Sequence, residues 1–287
     1  MTILLWGRNK DPVVNAVAKA CNGYDLDVAI ADTDHISSFA IDRNLTTADG
    51  RCVELDMVTG VLVRPDGHTR TPEALAVFQE LDAWTELTTA TVLNRPSAAA
   101  TNRSKPYQLQ IISGYGFAVP DTLVTTNPAD VEELRNKWGR LIYKSVSGTR
   151  SIVAELSDAH RDRLDDVSTC PTQFQQHVPG TDYRVHVVGA EVFACSIESD
   201  ATDYRYAAMS GATLAMAAET LPAKIERQCA ELANGLGLGL AGIDLRLDPD
   251  GQWWCFEVNT APGFIWFEDH TGLPIAAAVA RALARRE

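Results

Sequence analysis

The chain opens on an uninterrupted apolar run, "TILLW", the pattern of a short strand buried on both faces. "GRNKDPVVNAVAKACNG" follows as a turn, a helix and a glycine stop. "LDVAIAD" predicts a second strand and "VTGVLVRP" a later one, so residues 1–95 are expected to form a small α/β lobe. "EALAVFQELDAWTELT" is helical, and "TVLNRPSAAATNRSKPYQLQIISGYG" is a loop running into another helix. Residues 96–177 then predict an α+β lobe from the strand "DTLVTT", the helix "NPADVEELRNKWG", the strand "RLIYKSV" and the glycine turn "SGTRS". A third lobe, residues 178–287, starts in the period-two alternation of "FQQHVPGTDYRVHVVGAEVFACSIES". It continues through the helix "PAKIERQCAELANGLG", two strand patterns around "DPDG", and a final helix, "PIAAAVARALARR". The expected class is α/β (α+β) in three lobes.

Polar residues that interrupt apolar strands stand out against this pattern. In "LAGIDLRLDPDGQWWCFEVN", "DPDG" is a turn signal, and a two-residue turn at Asp250-Gly251 sets Asp244 opposite Glu257. Asn259 then lies diagonally on the same face, with Ile243, Leu245, Phe256 and Val258 on the other. Two opposed carboxylates repel unless one is protonated or a cation lies between them. Asp, Glu and Asn offer hard oxygen donors, which suit Mg²⁺, or Mn²⁺ as an alternative, rather than zinc. Mg²⁺ characteristically takes one or two carboxylates and completes its shell with water and phosphates, so the hairpin points to a nucleotide. The bland reading is an edge hairpin with solvated acids.

A nucleotide needs positive charge against its phosphates. Lys144 lies mid-strand in "RLIYKSV", either a snorkelling edge residue or a ligand-facing charge. The turn holding Ser147, Gly148 and Arg150 can close over phosphates, although it is not a Walker A loop and an ordinary hairpin turn is its rival. Lys105 stands at a helix start, a poor place for a cation unless an anion is near. Asp182 and Arg184 share a strand face and can address ribose and phosphate, or form a surface ion pair. His177 and His186 lack a partner at metal-ligand spacing and read as ordinary polar residues.

Composition narrows the class. The net charge is −13 over 287 residues, so a nucleic-acid partner is not expected. The six cysteines are scattered with no CxxC pair, which fits reduced thiols in a cytoplasm. The opening apolar run is too short for a signal peptide, and no stretch approaches a membrane span.

"SKPYQLQIISGYGFAVPDTLVTTNP", "LIYKSVSGTRSIV", "FQQHVPGTDYRVHVVG", "AGIDLRLDPDGQWWCFEVNTAPGF" and "TGLPIAAAVARAL", in that order, resemble the ATP-grasp superfamily, and within it the RimK-like carboxylate–amine ligases. The match covers residues 95–287, and the first lobe resembles the family's variable pre-ATP-grasp domain. The graspetide maturases, which crosslink peptides through ester or amide bonds, are similar around "DTLVTTNP" and "TGLPIA". The resemblance implies ATP held between the two later lobes. Lys105 and Lys144 would contact its phosphates, and "SGTRS" would close over them. Gln175, Gln176, His177 and Val178 would form the hinge whose backbone reads adenine, with Asp182 near the ribose. Asp244, Glu257 and Asn259 would hold Mg²⁺, and Arg184 would steady the transferring phosphate. Arg246, and less so Arg205, would grip an acyl phosphate or a substrate carboxylate.

The implied reaction phosphorylates a carboxylate, and an amine or hydroxyl then attacks the acyl phosphate. The substrate would be an amino acid, a peptide or a peptide tail. A maturase would need a leader-peptide groove, for which the chain looks short. A non-catalytic nucleotide-binding protein would need a broken lysine or metal set. Oligomeric state, a homo-oligomer included, stays open.

Overall fold

The computed structural model describes residues 1–38, 44–65, 72–146, 153–201, 204–206 and 211–285. Its first sheet is built from β1 (Thr2–Gly7), β2 (Asp27–Asp32), β5 (Val58–Arg64) and β6 (Thr91–Leu93), all parallel and ordered β2-β1-β5-β6. A small hairpin of β3 (Asn44–Thr46) and β4 (Cys52–Glu54) lies between β2 and β5 in the chain. Both faces of this sheet are covered, which is why the four positions after Thr2, Ile3 to Trp6, are all apolar. Leu4 and Trp6 pack with Leu81 of helix α2 (Pro72–Leu87). Ile3 and Leu5 face the other way, onto Val13, Val14 and Val17 of α1 (Pro12–Asn22). Asp11 starts α1 as its N-cap, accepting from the Val13 N–H at 2.8 Å.

The second sheet has the order β7-β10-β8-β9 and is antiparallel: β7 (Thr122–Thr125), β8 (Leu141–Ser145), β9 (Ala154–Glu155) and β10 (Thr172–Gln176). Helix α3 (Lys105–Ser113) leads into it, and α4 (Pro128–Trp138) lies between β7 and β8. The third sheet runs β13-β12-β11-β14-β15, formed by β11 (Thr181–Val188), β12 (Glu191–Ser199), β13 (Leu214–Glu219), β14 (Leu240–Leu247) and β15 (Trp253–Asn259). It is antiparallel, with α5 (Ala223–Gly235) burying Ile225, Cys229 and Leu232 against one face.

After β15 the chain forms α6 (Ile265–Thr271) and α7 (Ile275–Ala284). Sequence order places α7 with the third lobe, yet its apolar face packs in one core with α1 and β1, as well as Val188 and Leu240. Gly60 on β5 allows this approach, because a Cβ there would overlap the Leu283 carbonyl. Among the described residues, no helix is long and apolar enough to cross a membrane.

Candidate functional site

The hairpin of β14 and β15 brings its acids together by a different route from the one expected. The turn is a three-residue loop: Gly251 N–H donates to the Asp248 carbonyl at 3.0 Å, and Asp248 N–H to the Gln252 carbonyl at 3.0 Å. Pro249 takes the second position of this turn, and Gly251 adopts the left-handed φ of 84° that closes it. This shifts the register by one, pairing Leu247 with Trp253 and Leu245 with Cys255. A bulge at Phe256 shifts it back, so Asp244 does pair with Glu257, and Gly242 with Asn259. The bulge also corrects the face assignment. Cys255, not Phe256, joins Ile243, Leu245 and Val258 in the core, while Phe256 turns to the site.

The far edge of β15 is held by α3 and the segment before β7. The Gln108 amide, 1% exposed, behaves as one more strand residue. It donates to the Val258 carbonyl at 2.9 Å and accepts from the Val258 N–H at 3.0 Å. Ala118 pairs with Trp254 further along the same edge. Glu257 and Asn259, which flank Val258, are thereby aimed away from the core.

Across β11 and β14 two ion pairs sit in direct register with opposite polarity. Arg184 Nη1 meets Asp244 Oδ1 at 2.6 Å, and Arg246 forms a fork with both Asp182 oxygens at 2.8 and 2.9 Å. Asp182 and Arg184 therefore do not pair with one another along β11 in these bonds. Arg246 also donates from Nη1 to the Val178 carbonyl at 2.6 Å, and its guanidinium lies over the Phe256 ring. Arg246, expected to grip an acyl phosphate or a substrate carboxylate, has Nε, Nη1 and Nη2 engaged by Asp182 and the Val178 carbonyl.

Lys105 Nζ donates to Glu257 and, at 2.6 Å, to Asn102 Oδ1. The carboxylate thus offsets the unfavourable placement of a cation at the start of α3. The Asn259 amide lies between the two pairs, and its bonding is satisfied when it is oriented with the nitrogen donating to Glu257 Oε1 at 3.1 Å and the oxygen accepting from Arg184 Nη1 at 3.2 Å. Burial would raise the Glu257 carboxyl, but Lys105, Lys144 and Arg184 outweigh it and hold it below the usual range. Burial lowers the Lys144 ammonium, and Glu257 opposes this only in part. Burial likewise opposes the Arg184 charge, which Asp244 more than offsets.

These groups border two cavities. The first, about 440 Å³, lies between the second and third sheets and is lined by Lys144, Gln175, His177, Asp182, Phe256 and Glu257 among others. Burial and the nearby Arg140 and Arg246 favour neutral His177. The second, about 590 Å³, lies between the third sheet, α6 and the first lobe, where it reaches Asp11 and Arg64. Asp244, Tyr204 and Arg205 line both cavities.

Of the expected hinge, Gln175 and His177 line the first cavity, and several backbone groups of the stretch are committed. Gln176 N–H donates to the Asp121 carbonyl, His177 N–H to the Arg140 carbonyl, and Arg246 takes the Val178 carbonyl. Ser147, Gly148 and Arg150 lie outside the described residues. His186 is buried, 1% exposed, lies 3.4 Å from Arg184 Nε and packs against Phe264 and Phe267. Tyr204, stacked on Trp266, carried no sequence signal, since aromatics in loops are common.

Among the described residues, no cluster of three His, Cys, Asp or Glu side chains could hold a metal by itself. Asp244, Glu257 and Asn259 fit Mg²⁺ in its other mode, with two carboxylates and an amide oxygen completed by phosphates.

A model of the RimK-like ATP-grasp domain matches residues 100–283. The ribosomal protein bS6–L-glutamate ligase of Escherichia fergusonii is 30% identical over 206 residues, covering 67% of this chain and 67% of its own. The macrocyclase MdnC from Microcystis aeruginosa, solved with precursor peptide MdnA, is similar at a TM-score of 0.83 and 22% identity. That alignment covers 99% of this chain and 100% of MdnC, so the chain is as long as a peptide-bound macrocyclase, against the expectation that it is short for one. The ATP-grasp ligase PsnB, solved with a minimal precursor variant, Mg and ADP, gives a TM-score of 0.81 at 24% identity, covering 98% and 97% of the two chains. With its cation-lined cleft and family match over most of its length, the chain belongs to the RimK-like ATP-grasp family of ATP-dependent carboxylate–amine ligases.

Proposed function

We propose that the protein activates a carboxylate of a peptide with ATP and joins it to an amine through an acyl phosphate. The observation that carries this reading is that two cavities meet at Asp244. The first suits the nucleotide. Asp182, held by the Arg246 fork, addresses the ribose, while Lys105 and Lys144 meet the phosphates. Mg²⁺ held by Asp244, Glu257 and Asn259 would neutralise phosphate charge there. Phosphate oxygens would compete with Glu257 for Lys105, so the same lysine serves the empty and the filled site.

The second cavity suits the acyl substrate. Its carboxylate oxygen attacks the γ-phosphorus beside Asp244, ADP leaves, and Arg184 balances charge on the moving phosphoryl group. The amine then attacks the acyl carbon, phosphate departs and the amine loses a proton. Among the relatives, the bS6 ligase is named for joining glutamate to a ribosomal protein, and MdnC and PsnB were solved with precursor peptides. Both kinds support a peptide substrate.

Mass spectrometry of a peptide panel incubated with ATP, Mg²⁺ and free amino acids tests this. Addition raises a peptide's mass by one residue, whereas internal crosslinking, the second reading favoured by the full-length likeness to MdnC, lowers it by one water. ADP release that is independent of every carboxylate and amine would overturn both. The reading also places the protein in the cytoplasm, where ATP and reduced thiols coexist.

A further inference from the structure

β15 leaves the site through the segment Thr260–Gly263, and three consecutive carbonyls of that segment accept hydrogen bonds from the first lobe. Asn94 Nδ2 donates to the Thr260 carbonyl. Arg64 Nη1 donates to the carbonyls of Ala261 at 2.8 Å and Pro262 at 3.0 Å. Both donors are themselves fixed. Asn94 also bonds Leu240 at the start of β14, donating to its carbonyl at 2.5 Å and accepting from its N–H at 3.0 Å. Arg64 Nε is tied to Asp11 Oδ2 at 2.6 Å, and Asp11 caps α1.

Asn94 is 4% exposed, and its backbone sits in the left-handed region at φ 66°, which few residues other than glycine adopt. Asparagine is one of the few. Its amide therefore joins the start of β14 to the end of β15, while its backbone directly follows β6 of the first sheet. The consequences reach the site in two ways. Asn259 directly precedes the held carbonyls, and a peptide plane bonded to a rigid donor cannot rotate without breaking that bond. Pro262 packs over Gly242, where a Cβ would overlap both Pro262 and the Arg184 guanidinium.

We propose that the first lobe is a positioning element of the catalytic site, with Asn94 and Arg64 fixing the Thr260–Pro262 backbone and through it Asn259 and Arg184. This rests on reading Asp244, Glu257 and Asn259 as the Mg²⁺ set. Neither Asn94 nor Arg64 touches the reacting atoms. Their part is to hold a ligand within the narrow tolerance that such chemistry demands.

The test uses the full chain, with Mn²⁺ as a paramagnetic probe in the presence of the non-hydrolysable analogue AMP-PNP. Asn94→Gly keeps the left-handed backbone and removes the amide, and Arg64→Lys keeps the charge but cannot span two carbonyls and Asp11. Each variant is expected to weaken Mn²⁺ binding about tenfold or more and to lower kcat by a similar factor. Metal-free ADP affinity should stay near wild type, because the Asp182–Arg246 end is untouched. A general loosening of the fold would move both affinities together and would overturn the proposal. So would folded variants with wild-type Mn²⁺ affinity. If Asn94→Gly does not fold, Arg64→Lys decides alone. A rise only in the peptide KM of that variant would make Arg64 a substrate contact instead. Wild-type protein that binds no Mn²⁺ with AMP-PNP would sink the metal reading itself.

Discussion

Arg184–Asp244 and Asp182–Arg246 are neighbouring pairs on the same two strands, built from the same residue types in reversed order. Their surroundings differ. Arg246 lies in the rim of the nucleotide cleft and spends Nε, Nη1 and Nη2 on Asp182 and Val178. Arg184 is enclosed by His186, the Phe267 ring, Pro262 and Gly242, with its side chain 6% exposed. One arginine is held by hydrogen bonds and in turn shapes a binding surface. The other is held by packing, which leaves its charge directed at Asp244 and the junction of the cavities. A motif match alone assigns both arginines to phosphate; their neighbours separate them.

The largest effect that would test this division is at Glu257, the carboxylate opposite Asp244 in the hairpin register. Glu257→Gln should cut kcat by about 10³-fold while the protein remains folded by circular dichroism, comparable to removing a key electrostatic group elsewhere. Activity near wild type would dismiss the metal assignment. Next, Arg184→Gln should lower kcat by about 10²-fold with a small change in the KM for ATP, and Gly242→Ala should do the same by expelling the guanidinium. Arg246→Ala should show the reverse split, with the KM for ATP raised about tenfold and kcat changed less, since it frees Asp182 and the hinge. If both arginine variants gave one kinetic pattern, the contrast would collapse.

Smaller effects belong to protons. Burial depresses the Lys144 pKa from 10.5, so the unfolded chain binds more protons here than the folded one. Stability from this group therefore rises with pH from the lowered value toward 10.5. Lys144→Met should raise the melting temperature of nucleotide-free protein by about 2 °C at neutral pH while removing stabilisation by added ATP. Glu257 has the opposite sense. Its stabilisation is full above 4.5 and is lost as pH falls through the lowered folded value, so Glu257→Gln should flatten acid unfolding, read by fluorescence.

Much of this site is legible in the sequence because its signals are local. Strand alternation gives the shared face of Asp244 and Arg246, and a polar pair inside an apolar strand marks Glu257 and Asn259. The pairing of Asp244 with Glu257 survives a misread turn only because the bulge at Phe256 compensates. No propensity marks that bulge, so Phe256 is read onto the wrong face. Asn94, Arg64 and His186 are silent for another reason. The third-lobe partners of Asn94 and Arg64 lie 146 to 198 residues away, and the rings that enclose His186 belong to Phe264 and Phe267, so neither spacing nor periodicity encodes such contacts.

Helix α7 has a consequence for how the protein is made. The face of the first sheet that holds Ile3 and Leu5 is completed by a helix that follows β6 by about 180 residues. At ribosomal speeds of roughly 5–20 residues per second, that face waits on the order of ten to forty seconds for its cover. Nascent chains stalled before Ile275 should therefore expose this apolar surface to chaperones, and a stop codon there would damage the beginning of the protein as much as its end.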